Sequence, residues 1–390
     1  VAVPGLSRFF AGAVGTIGYE TVGEFERLPA PKQDGVPATA RFMMAEDMVV
    51  FDNVRHTAKV VACARPEAFP ALRAAYDDAC ERIEHIEARM RQPHAILPVG
   101  SGAPADVTMT SNLSREAYAE MVRKAKDYIL EGDVIQTVLS QRFSTELPAS
   151  PLTVYRALRL INPSPYMYYL KFGDSLLVGS SPEIMVRLTG CNVELRPIAG
   201  TRPRGKTEQE DRALADELLG DEKERAEHVM LVDLGRNDLG RIAAPGSVQV
   251  RDFMTIERYS HVMHIVSHVQ AELGPDYDAF DVIRATFPAG TLSGAPKIRA
   301  MEIIHELEPQ PRGAYGGAVG YIGYDGNMDL AITIRTLEID GDRVAVQAGA
   351  GIVADSDPDR EYDETVSKAK GMMRALRLAA SDLNLKVLAD

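Results

Sequence analysis

The sequence predicts an α+β fold with large mixed or antiparallel sheets, and two observations lead to this class. Strand-like runs alternate with clusters of helical periodicity instead of following a strict strand–helix–strand rhythm. The 390 residues are 45% apolar and 25% charged, which is typical of a globular chain with a large buried core.

The first part of the chain mixes short strands with one helix. The opening VAVPGLSRFFAGAVGTIGYE lacks the basic start of a secretory signal, and we interpret it as a pair of core strands. The runs MVVFDN and AKVVACA predict further strands, and FPALRAAYDDACERIEHIEARM predicts a helix. The sequence starts at Val1 in the middle of a sequence pattern, so we expect that an N-terminal segment preceding Val1 is missing.

A segment rich in Pro, Gly and Ser, LPVGSGAPADVTMTS, is the best linker candidate. It divides the chain into an N-terminal region, 1–105, and a main domain, 106–390. Beyond it, Ser114 is placed to cap a helix that ends at Gly132. The strand-like runs of the main domain are VIQTVLSQRFST, PYMYYLKF, LLVGSS, IMVRLTG, NVELRPI, GYIGYDGN, LAITIRTLEI and RVAVQAGAGIV.

Charge and cysteine content exclude several classes of protein. The chain has 43 basic and 56 acidic residues, a net charge of −13, and its basic residues are dispersed, which argues against nucleic-acid binding. No apolar run reaches the roughly 18 residues that a membrane helix needs. Cys63, Cys80 and Cys191 are far apart and lack metal-ligand spacing, so we expect free thiols in a reducing, cytoplasmic location.

The stretch 200–207, GTRPRGKT, matches the pattern of a nucleotide phosphate loop, but its context argues against that function. A phosphate loop follows a buried apolar strand, whereas NVELRPIAG alternates polar with apolar residues and contains Pro197. The supposed magnesium-binding strand VMLVD continues DEKERAEH without a turn residue, and this predicts one helix from Asp221 to Leu234. We therefore expect no ATP site.

Two pairs of glutamates point to a metal site. Glu224 and Glu227 are three residues apart and share one helix face. Asp357 is placed to cap a second helix with Pro358 at its first position, and Glu361 and Glu364 share a face there. Each pair alone is typical of a solvated acidic face, but together they offer the few carboxylates that Mg²⁺ uses while it keeps water and substrate oxygens.

Several motifs in one order resemble the chorismate-utilising enzymes, most closely the large subunits of anthranilate synthases. They extend from about residue 112 to 375 and are PSPYMYYL, GSSPE, RPIAGTRPRG, EKERAEHVMLVDLGRND, FPAGTLSGAPK, RGAYGGAVGYIGYDGN, IRT and GAGIVADSDPDREYDET. The resemblance implies two large sheets packed across one another with helices outside, and a buried site for chorismate and Mg²⁺. It also makes GTRPRG a substrate-side loop.

The resemblance assigns roles residue by residue. It implies Glu227 and Glu364 as direct metal ligands, with Glu224 and Glu361 beside them. It implies Glu183 as the acid that protonates the leaving hydroxyl, assisted by His264 and Thr291. The implied substrate-binding residues are Gly200, Thr201, Tyr315, Arg335 and the loop Gly349, Ala350, Gly351. The strand pattern places Arg335 inside the strand AITIRTLEI.

Within this family, two positions indicate the product. Relatives that add water have a lysine at the position that Gln136 occupies here. Relatives that form p-aminobenzoate have a lysine at the position of Ala199. Their absence implies ammonia as nucleophile and anthranilate as product, with ammonia delivered by a separate glutamine amidotransferase subunit. The alternatives are p-aminobenzoate, isochorismate or salicylate synthesis, and a non-catalytic tryptophan-binding paralogue.

The resemblance implies a site for L-tryptophan, a feedback inhibitor of family members, at Pro165, Tyr166 and Met167 together with an N-terminal Leu-Leu-Glu-Ser segment that this sequence lacks. We therefore expect weak or absent inhibition in a protein that begins at Val1.

Overall fold

The computed structural model describes residues 5–29, 40–93, 106–259 and 262–385. Its α-helices are α1 (Leu72–Met90), α2 (Arg115–Leu130), α3 (Pro151–Ile161), α4 (Glu208–Gly220), α5 (Glu222–Gly240), α6 (Ala279–Thr286), α7 (Lys297–Leu307) and α8 (Pro358–Ala380). Short 3₁₀ helices cover Tyr19–Glu24, Pro66–Ala68 and Gly290–Leu292.

The strands of the first half are β1 (Gly12–Ile17), β2 (Ala40–Ala45), β3 (Asp47–Asp52), β4 (Thr57–Ala62), β5 (Thr110–Ser111), β6 (Gln136–Glu146), β7 (Tyr166–Phe172), β8 (Ser175–Ser181) and β9 (Ile184–Thr189). Those of the second half are β10 (Asn192–Leu195), β11 (Ile198–Pro203), β12 (Gln249–Arg258), β13 (Val262–Glu272), β14 (Gly294–Ala295), β15 (Ala318–Gly323), β16 (Met328–Ile332), β17 (Thr336–Asp340) and β18 (Arg343–Ile352).

The strands form two large sheets and one hairpin. A nine-stranded sheet has the order β11-β13-β10-β9-β16-β15-β1-β2, with β12 also paired to β13. A seven-stranded sheet has the order β14-β6-β18-β17-β8-β7, with β5 also paired to β6, and β3 pairs with β4. All strand pairs in the described ranges are antiparallel, so the predicted α+β class is confirmed in its antiparallel form.

The two sheets face each other, and helices cover their outer sides. Leu170 and Leu177 of the seven-stranded sheet pack against Val319 and Ala331 of the nine-stranded sheet. Helices α3 and α8 cover the other side of the seven-stranded sheet through a separate apolar cluster. Helices α5 and α6 pack on the nine-stranded sheet. The layered arrangement expected from the resemblance is therefore confirmed.

Sequence signals at helix ends agree with the structure. Ser114 caps α2, and its Oγ accepts a hydrogen bond from the N–H of Ala117 at 3.1 Å. Asp221 caps α5, which includes the VMLVD segment and confirms the predicted single helix. Asp357 caps α8, and Pro358 is its first residue, as predicted.

The N-terminal prediction needs one correction. Among residues 5–20 the structure has a single strand, β1, followed by the start of a 3₁₀ helix, so the predicted strand pair within this stretch is wrong. The partners of β1 are β2 and β15, which lies some 300 residues later at Ala318–Gly323. A pairing partner so remote in sequence leaves no signal in the local pattern.

Candidate active site

A cavity of about 650 Å³ lies between the two sheets and is closed on its sides by α5 and α8. The seven-stranded sheet contributes β6 and β18, and the nine-stranded sheet contributes β11 and β13. The cavity is lined by almost all predicted site residues: Glu183, Gly200, Thr201, Glu224, Glu227, His264, Thr291, Tyr315, Arg335, Gly349, Gly351, Glu361 and Glu364. Gln136 lines it as well.

Glu183 occupies the short connection between β8 and β9 and is half-buried in the cavity wall. Burial raises the pKa of its carboxyl to about 8, although the Thr291 hydrogen bond and the charges of Arg335 and Lys368 oppose the shift. The Thr291 hydroxyl donates to Glu183 Oε1 at 3.2 Å. A carboxyl in this environment holds a proton near neutral pH and is able to act as a general acid.

His264 on β13 is held by the bulge of β11. Its Nδ1 lies 3.0 Å from the Gly200 carbonyl oxygen and 3.0 Å from the Thr201 hydroxyl. A carbonyl oxygen only accepts, so Nδ1 carries the hydrogen and Nε2 is left as the basic nitrogen. Burial lowers the pKa of the imidazole, which keeps the ring neutral near pH 7. His264 is thereby suited to accept a proton.

Arg335 is not inside a strand, which corrects the prediction from the sequence pattern. β16 ends at Ile332 and β17 begins at Thr336, and Arg335 lies between them with φ +50°. This left-handed backbone is costly for a residue with a Cβ, and such strain is concentrated at functional sites. Among the described residues no protein group accepts a hydrogen bond from its guanidinium, so its donors are available to a ligand in the cavity.

The Gly349-Ala350-Gly351 segment is also not a loop, because all three residues lie in β18 and pair with β6. A Cβ on Gly349 would lie 2.7 Å from the Tyr315 hydroxyl, and one on Gly351 would lie 2.3 Å from Gln136 Nε2. The two glycines therefore let Tyr315 and Gln136 lie against the strand. The Ala350 side chain points the other way into an apolar cluster, so only its backbone can face the cavity.

The four predicted metal-binding glutamates surround one end of the cavity. Burial, together with the charges of Glu224 and Glu364, raises the pKa of Glu227, which accepts a hydrogen bond from Gln136 Nε2 at 3.3 Å. Burial and the charge of Glu364 likewise raise the pKa of Glu361. The glutamates are partly buried, except for Glu364, whose side chain is 49% exposed, and their negative charge suits a cation. Within the described ranges no three His, Cys, Asp or Glu side chains converge as a ligand cluster.

Lys368 is a cavity residue that sequence reasoning missed. Its Nζ lies 2.8 Å from Glu364 Oε1 and donates to the Gly349 carbonyl oxygen at 2.9 Å. It follows Glu364 by four residues on α8, so helical periodicity would have placed both on one face. The ammonium group adds a positive charge beside the carboxylates, at a point where an anionic ligand could lie.

Ala199, the position predicted to exclude p-aminobenzoate chemistry, lies in β11 between two cavity-lining residues and is itself buried. The strand is irregular between Ala199 and Thr201, where Gly200 has φ +66°. Gln136 lies at the opposite wall beside Glu227. Neither position offers an amine to the cavity.

The arginines of the GTRPRGKT segment are already paired with carboxylates. The segment belongs to edge strand β11 and the turn that follows, and Thr207 caps α4. Arg202 pairs with Glu217 at 3.0 Å, and Arg204 pairs with Asp211 at 2.7 Å. The Gly205 N–H donates to the same aspartate at 3.0 Å. The arginines and the backbone N–H that would bind a phosphate are thus already bonded to carboxylates.

The predicted tryptophan-binding residues lie outside this cavity. Tyr166 starts β7, and its hydroxyl donates to Asp329 at 2.8 Å and accepts from Arg187 at 3.0 Å. Met167 packs against the apolar cluster under α3 and α8. Pro165 directly precedes β7. A ligand there would be separate from the catalytic centre.

The model of the chorismate-binding enzyme family matches residues 3–374. The chain belongs to this family. Anthranilate synthase component 1 of Aquifex aeolicus is 50% identical over 376 residues, which cover 96% of this chain and 76% of the relative. The same component of Neisseria meningitidis serogroup A is 50% identical, and the match covers 98% of this chain and 78% of the relative.

Solved structures agree with membership of the chorismate-binding enzymes. Anthranilate synthase component I from Streptococcus pneumoniae superposes with a TM-score of 0.86 at 41% identity, covering 96% of this chain and 82% of that one. The menaquinone-specific isochorismate synthase from Escherichia coli superposes with a TM-score of 0.75 at 20% identity, covering 95% and 79%. At that lower identity the likeness shows the shared fold alone.

The three cysteines Cys63, Cys80 and Cys191 are free, as expected from their spacing. Burial raises the pKa of the Cys63 thiol, which reduces its reactivity. No helix in the described part of the chain is both long and apolar enough to cross a bilayer.

Proposed function

We propose that this chorismate-binding enzyme is the large component of an anthranilate synthase, which converts chorismate and ammonia to anthranilate and pyruvate. The observation that carries the proposal is that one cavity brings together the half-buried Glu183 acid, neutral His264, the Arg335 guanidinium and four glutamates. The similarity to anthranilate synthase components over nearly the whole chain supports this reaction over others of the family.

The first chemical step is the attack of ammonia on ring carbon 2 with loss of the 4-hydroxyl. The nitrogen lone pair forms the new bond, the ring double bonds shift, and the C–O bond at carbon 4 breaks. Hydroxide is a poor leaving group, so protonated Glu183 donates its proton and water departs. The nitrogen, positively charged after the attack, then loses one proton, which balances the proton that Glu183 gave up and allows its acid form to be restored. Thr291 holds Oε1 of this carboxyl during the transfer.

The second step eliminates pyruvate and makes the ring aromatic. A proton leaves ring carbon 2, the ring C–O bond to the enolpyruvyl group breaks, and that group gains a proton to become pyruvate. Neutral His264 is suited to accept the proton because its Nδ1–H is fixed by Gly200. The arginine fork of Arg335 and the hydroxyl of Tyr315 hold the carboxylate of the enolpyruvyl group.

A magnesium ion is the cation that the glutamates suit best. Glu227 and Glu364 would hold it directly, with Glu224 and Glu361 beside them, because hard carboxylate oxygens are the ligands that Mg²⁺ prefers. When bound, the ion supplies Lewis-acid polarisation of the ring carboxylate and offsets its charge. Lys368 contributes a further positive charge next to Glu364.

Ammonia is the proposed nucleophile because position 136 is a glutamine and not a lysine. The cavity therefore has no amine at that position to deprotonate an attacking water molecule. A neutral amide does not take a proton near pH 7, whereas unprotonated ammonia needs no base for attack. A separate glutamine amidotransferase subunit is the proposed source of ammonia in the cell. A tryptophan-binding site that includes Pro165, Tyr166 and Met167, and a cytoplasmic location, belong to the same proposal.

The proposed organisation assigns chorismate binding and catalysis to residues 106–390 and a supporting and regulatory role to residues 1–105. Its support is that β1 and β2 extend the nine-stranded sheet that carries β11 and β13 of the cavity. The N-terminal strands and the site then share one core.

Product analysis tests the proposed function. The chain is incubated with chorismate and Mg²⁺, with and without ammonium, and the products are separated by chromatography. The expected product is anthranilate with ammonium, and almost nothing without it. Isochorismate, salicylate or a 4-amino product would replace the proposal by its alternatives, and tight tryptophan binding without any turnover would indicate a non-catalytic binding protein.

A further inference from the structure

A buried ion pair between Arg312 and Glu308 lies outside the assigned site and next to the cavity. Arg312 is only 1% exposed and Glu308 is 5% exposed. Arg312 Nε donates to Glu308 Oε2 at 2.9 Å, and its Nη2 donates to Oε1 at 2.7 Å. A buried pair of this kind stabilises a fold only when its remaining donors and acceptors are also satisfied, so its other contacts decide what it does.

Besides Tyr19, whose ring centre lies 4.5 Å from the guanidinium, Arg312 contacts several segments that form the cavity. Its Nη1 donates to the Leu292 carbonyl oxygen at 2.6 Å, and its Nη2 donates to the Val138 carbonyl oxygen at 2.7 Å. Its guanidinium lies 5.6 Å from the ring centre of Tyr315. Leu292, Val138 and Tyr315 line the cavity, and Leu292 directly follows Thr291, the partner of Glu183.

The same ion pair fixes the orientation of a cavity amide. Arg312 is always a donor, so both oxygens of Glu308 accept. The Ser140 hydroxyl therefore donates to Glu308 Oε1, at 2.7 Å, and its own oxygen accepts from Gln347 Nε2 at 2.8 Å. Gln347 lines the cavity, and its Oε1 has no partner among the described residues. Each hydrogen bond in the series from Arg312 through Glu308 and Ser140 to Gln347 therefore has only one possible direction.

We propose that Arg312 is a positioning residue of the active site, acting with Glu308 and Ser140 to hold Val138, Leu292, Tyr315 and the Gln347 amide in one arrangement. One guanidinium joins strand β6, the segment after Thr291 and the loop that carries Tyr315. These segments are far apart in sequence, and their relative placement sets the geometry around chorismate. The inference deepens the proposed function and rests on it.

The role requires the planar fork of arginine and not only its charge. A lysine at this position has a single nitrogen, which cannot serve two carbonyl oxygens and both carboxylate oxygens at once. Arg312→Lys therefore keeps the buried charge and loses the arrangement. Arg299→Lys is the matched control, because Arg299 is a partly exposed arginine that pairs with Asp133 and Glu302 away from the cavity.

Ser140→Ala provides a milder variant, because the Ser140 backbone N–H still donates to Glu308 at 2.8 Å. The relay to Gln347 is lost while the ion pair remains. Ser144→Ala is its control, since Ser144 is four residues along β6 on the same face and lines a different cavity. Steady-state kinetics with ammonium would be measured for all four variants, together with thermal unfolding.

For Arg312→Lys we expect kcat/KM for chorismate to fall by about 100-fold, and for Ser140→Ala by about tenfold, because small misplacements of binding groups are costly. The KM for ammonium should change less than twofold, since Gln136 and Glu227 do not contact this network. Both control variants should keep wild-type kinetics.

Two outcomes would overturn the inference. Folded Arg312→Lys protein with kcat/KM within twofold of wild type would exclude a positioning role, and if Arg312→Lys does not fold, the same result for Ser140→Ala decides. If the wild-type chain makes no anthranilate at all, the proposed function has failed instead. Calorimetric binding of chorismate, without ammonium, then tests the positioning role alone, because unchanged affinity in Ser140→Ala would contradict it.

Discussion

At the scale of single residues, Glu183 links burial to a pH dependence. Its raised pKa of about 8 means that the acid is protonated at neutral pH and loses its proton as the pH rises through that value. We predict that kcat falls above about pH 8, and that Glu183→Gln lowers kcat by at least about 100-fold near neutral pH, with a smaller difference above pH 8, where wild type has also lost the proton. A pH–rate profile of both proteins measures this, and a wild-type profile flat to pH 9.5 would remove Glu183 as the acid.

The same shift has a consequence for stability. Between the ordinary value of 4.5 and about 8, the folded chain keeps a proton on Glu183 that the unfolded chain has lost. The unfolded state binds fewer protons in this range, so the free energy of unfolding falls as pH rises. The melting temperature of Glu183→Gln relative to wild type should therefore increase between pH 5 and pH 8, and an unchanged difference would contradict the buried carboxyl.

Glu227 and Glu364 give a second prediction at this scale. The changes Glu227→Gln and Glu364→Gln keep the side-chain shape and remove one anionic oxygen ligand each. We expect the Mg²⁺ concentration for half-maximal activity to rise at least about tenfold. Glu120→Gln is the control, because Glu120 lies on the exposed surface of α2 in a pair with Arg123. Activity at limiting Mg²⁺ that survives both changes would place the metal elsewhere.

At the scale of elements, β18 approaches Tyr315 so closely that only glycine is accommodated. A Cβ on Gly349 would lie 2.7 Å from the Tyr315 hydroxyl and 2.8 Å from the Leu139 carbonyl oxygen. We predict that Gly349→Ala displaces Tyr315 and lowers kcat/KM for chorismate at least about tenfold. Steady-state kinetics measure this effect.

Gly371→Ala is the matched control for this prediction. Gly371 lies inside α8 with no atom near the added Cβ, and alanine is the better helix former. The variant should keep wild-type kinetics and gain about 0.5–1 kcal/mol in the free energy of unfolding. Equal kinetics for both alanine variants would show that the tight contact in β18 is unimportant.

At the scale of the whole molecule, the chain should use ammonium but not glutamine on its own. Release of ammonia from glutamine needs a reactive cysteine, and none of the three cysteines lines the catalytic cavity. We predict anthranilate from chorismate and ammonium with the chain alone, and from glutamine only after a glutamine amidotransferase subunit is added. Coupled fluorescence assays measure both rates, and glutamine use by the chain alone would contradict this division of labour.

Local signals in the sequence predicted the helices and most strands. Ser114, Asp221 and Asp357 cap helices where the pattern placed them, because capping depends on residues within one turn. The errors have non-local causes. The apolar opening predicts two strands, but it contains only β1, whose partners are β2 and β15. Arg335 and the Gly349-Ala350-Gly351 segment were misplaced because the ends of β16 and β18 depend on neighbouring strands.

The sequence by itself determined the α+β class, the family and the residue types of the site, because periodicity, caps and ordered motifs are written along the chain. The tertiary structure alone decided which of these residues meet. Glu183 lies 3.2 Å from the Thr291 hydroxyl, and His264 lies 3.0 Å from Gly200. It also decided that Arg312 joins three cavity segments, since burial and hydrogen-bond direction arise only when distant strands pack together.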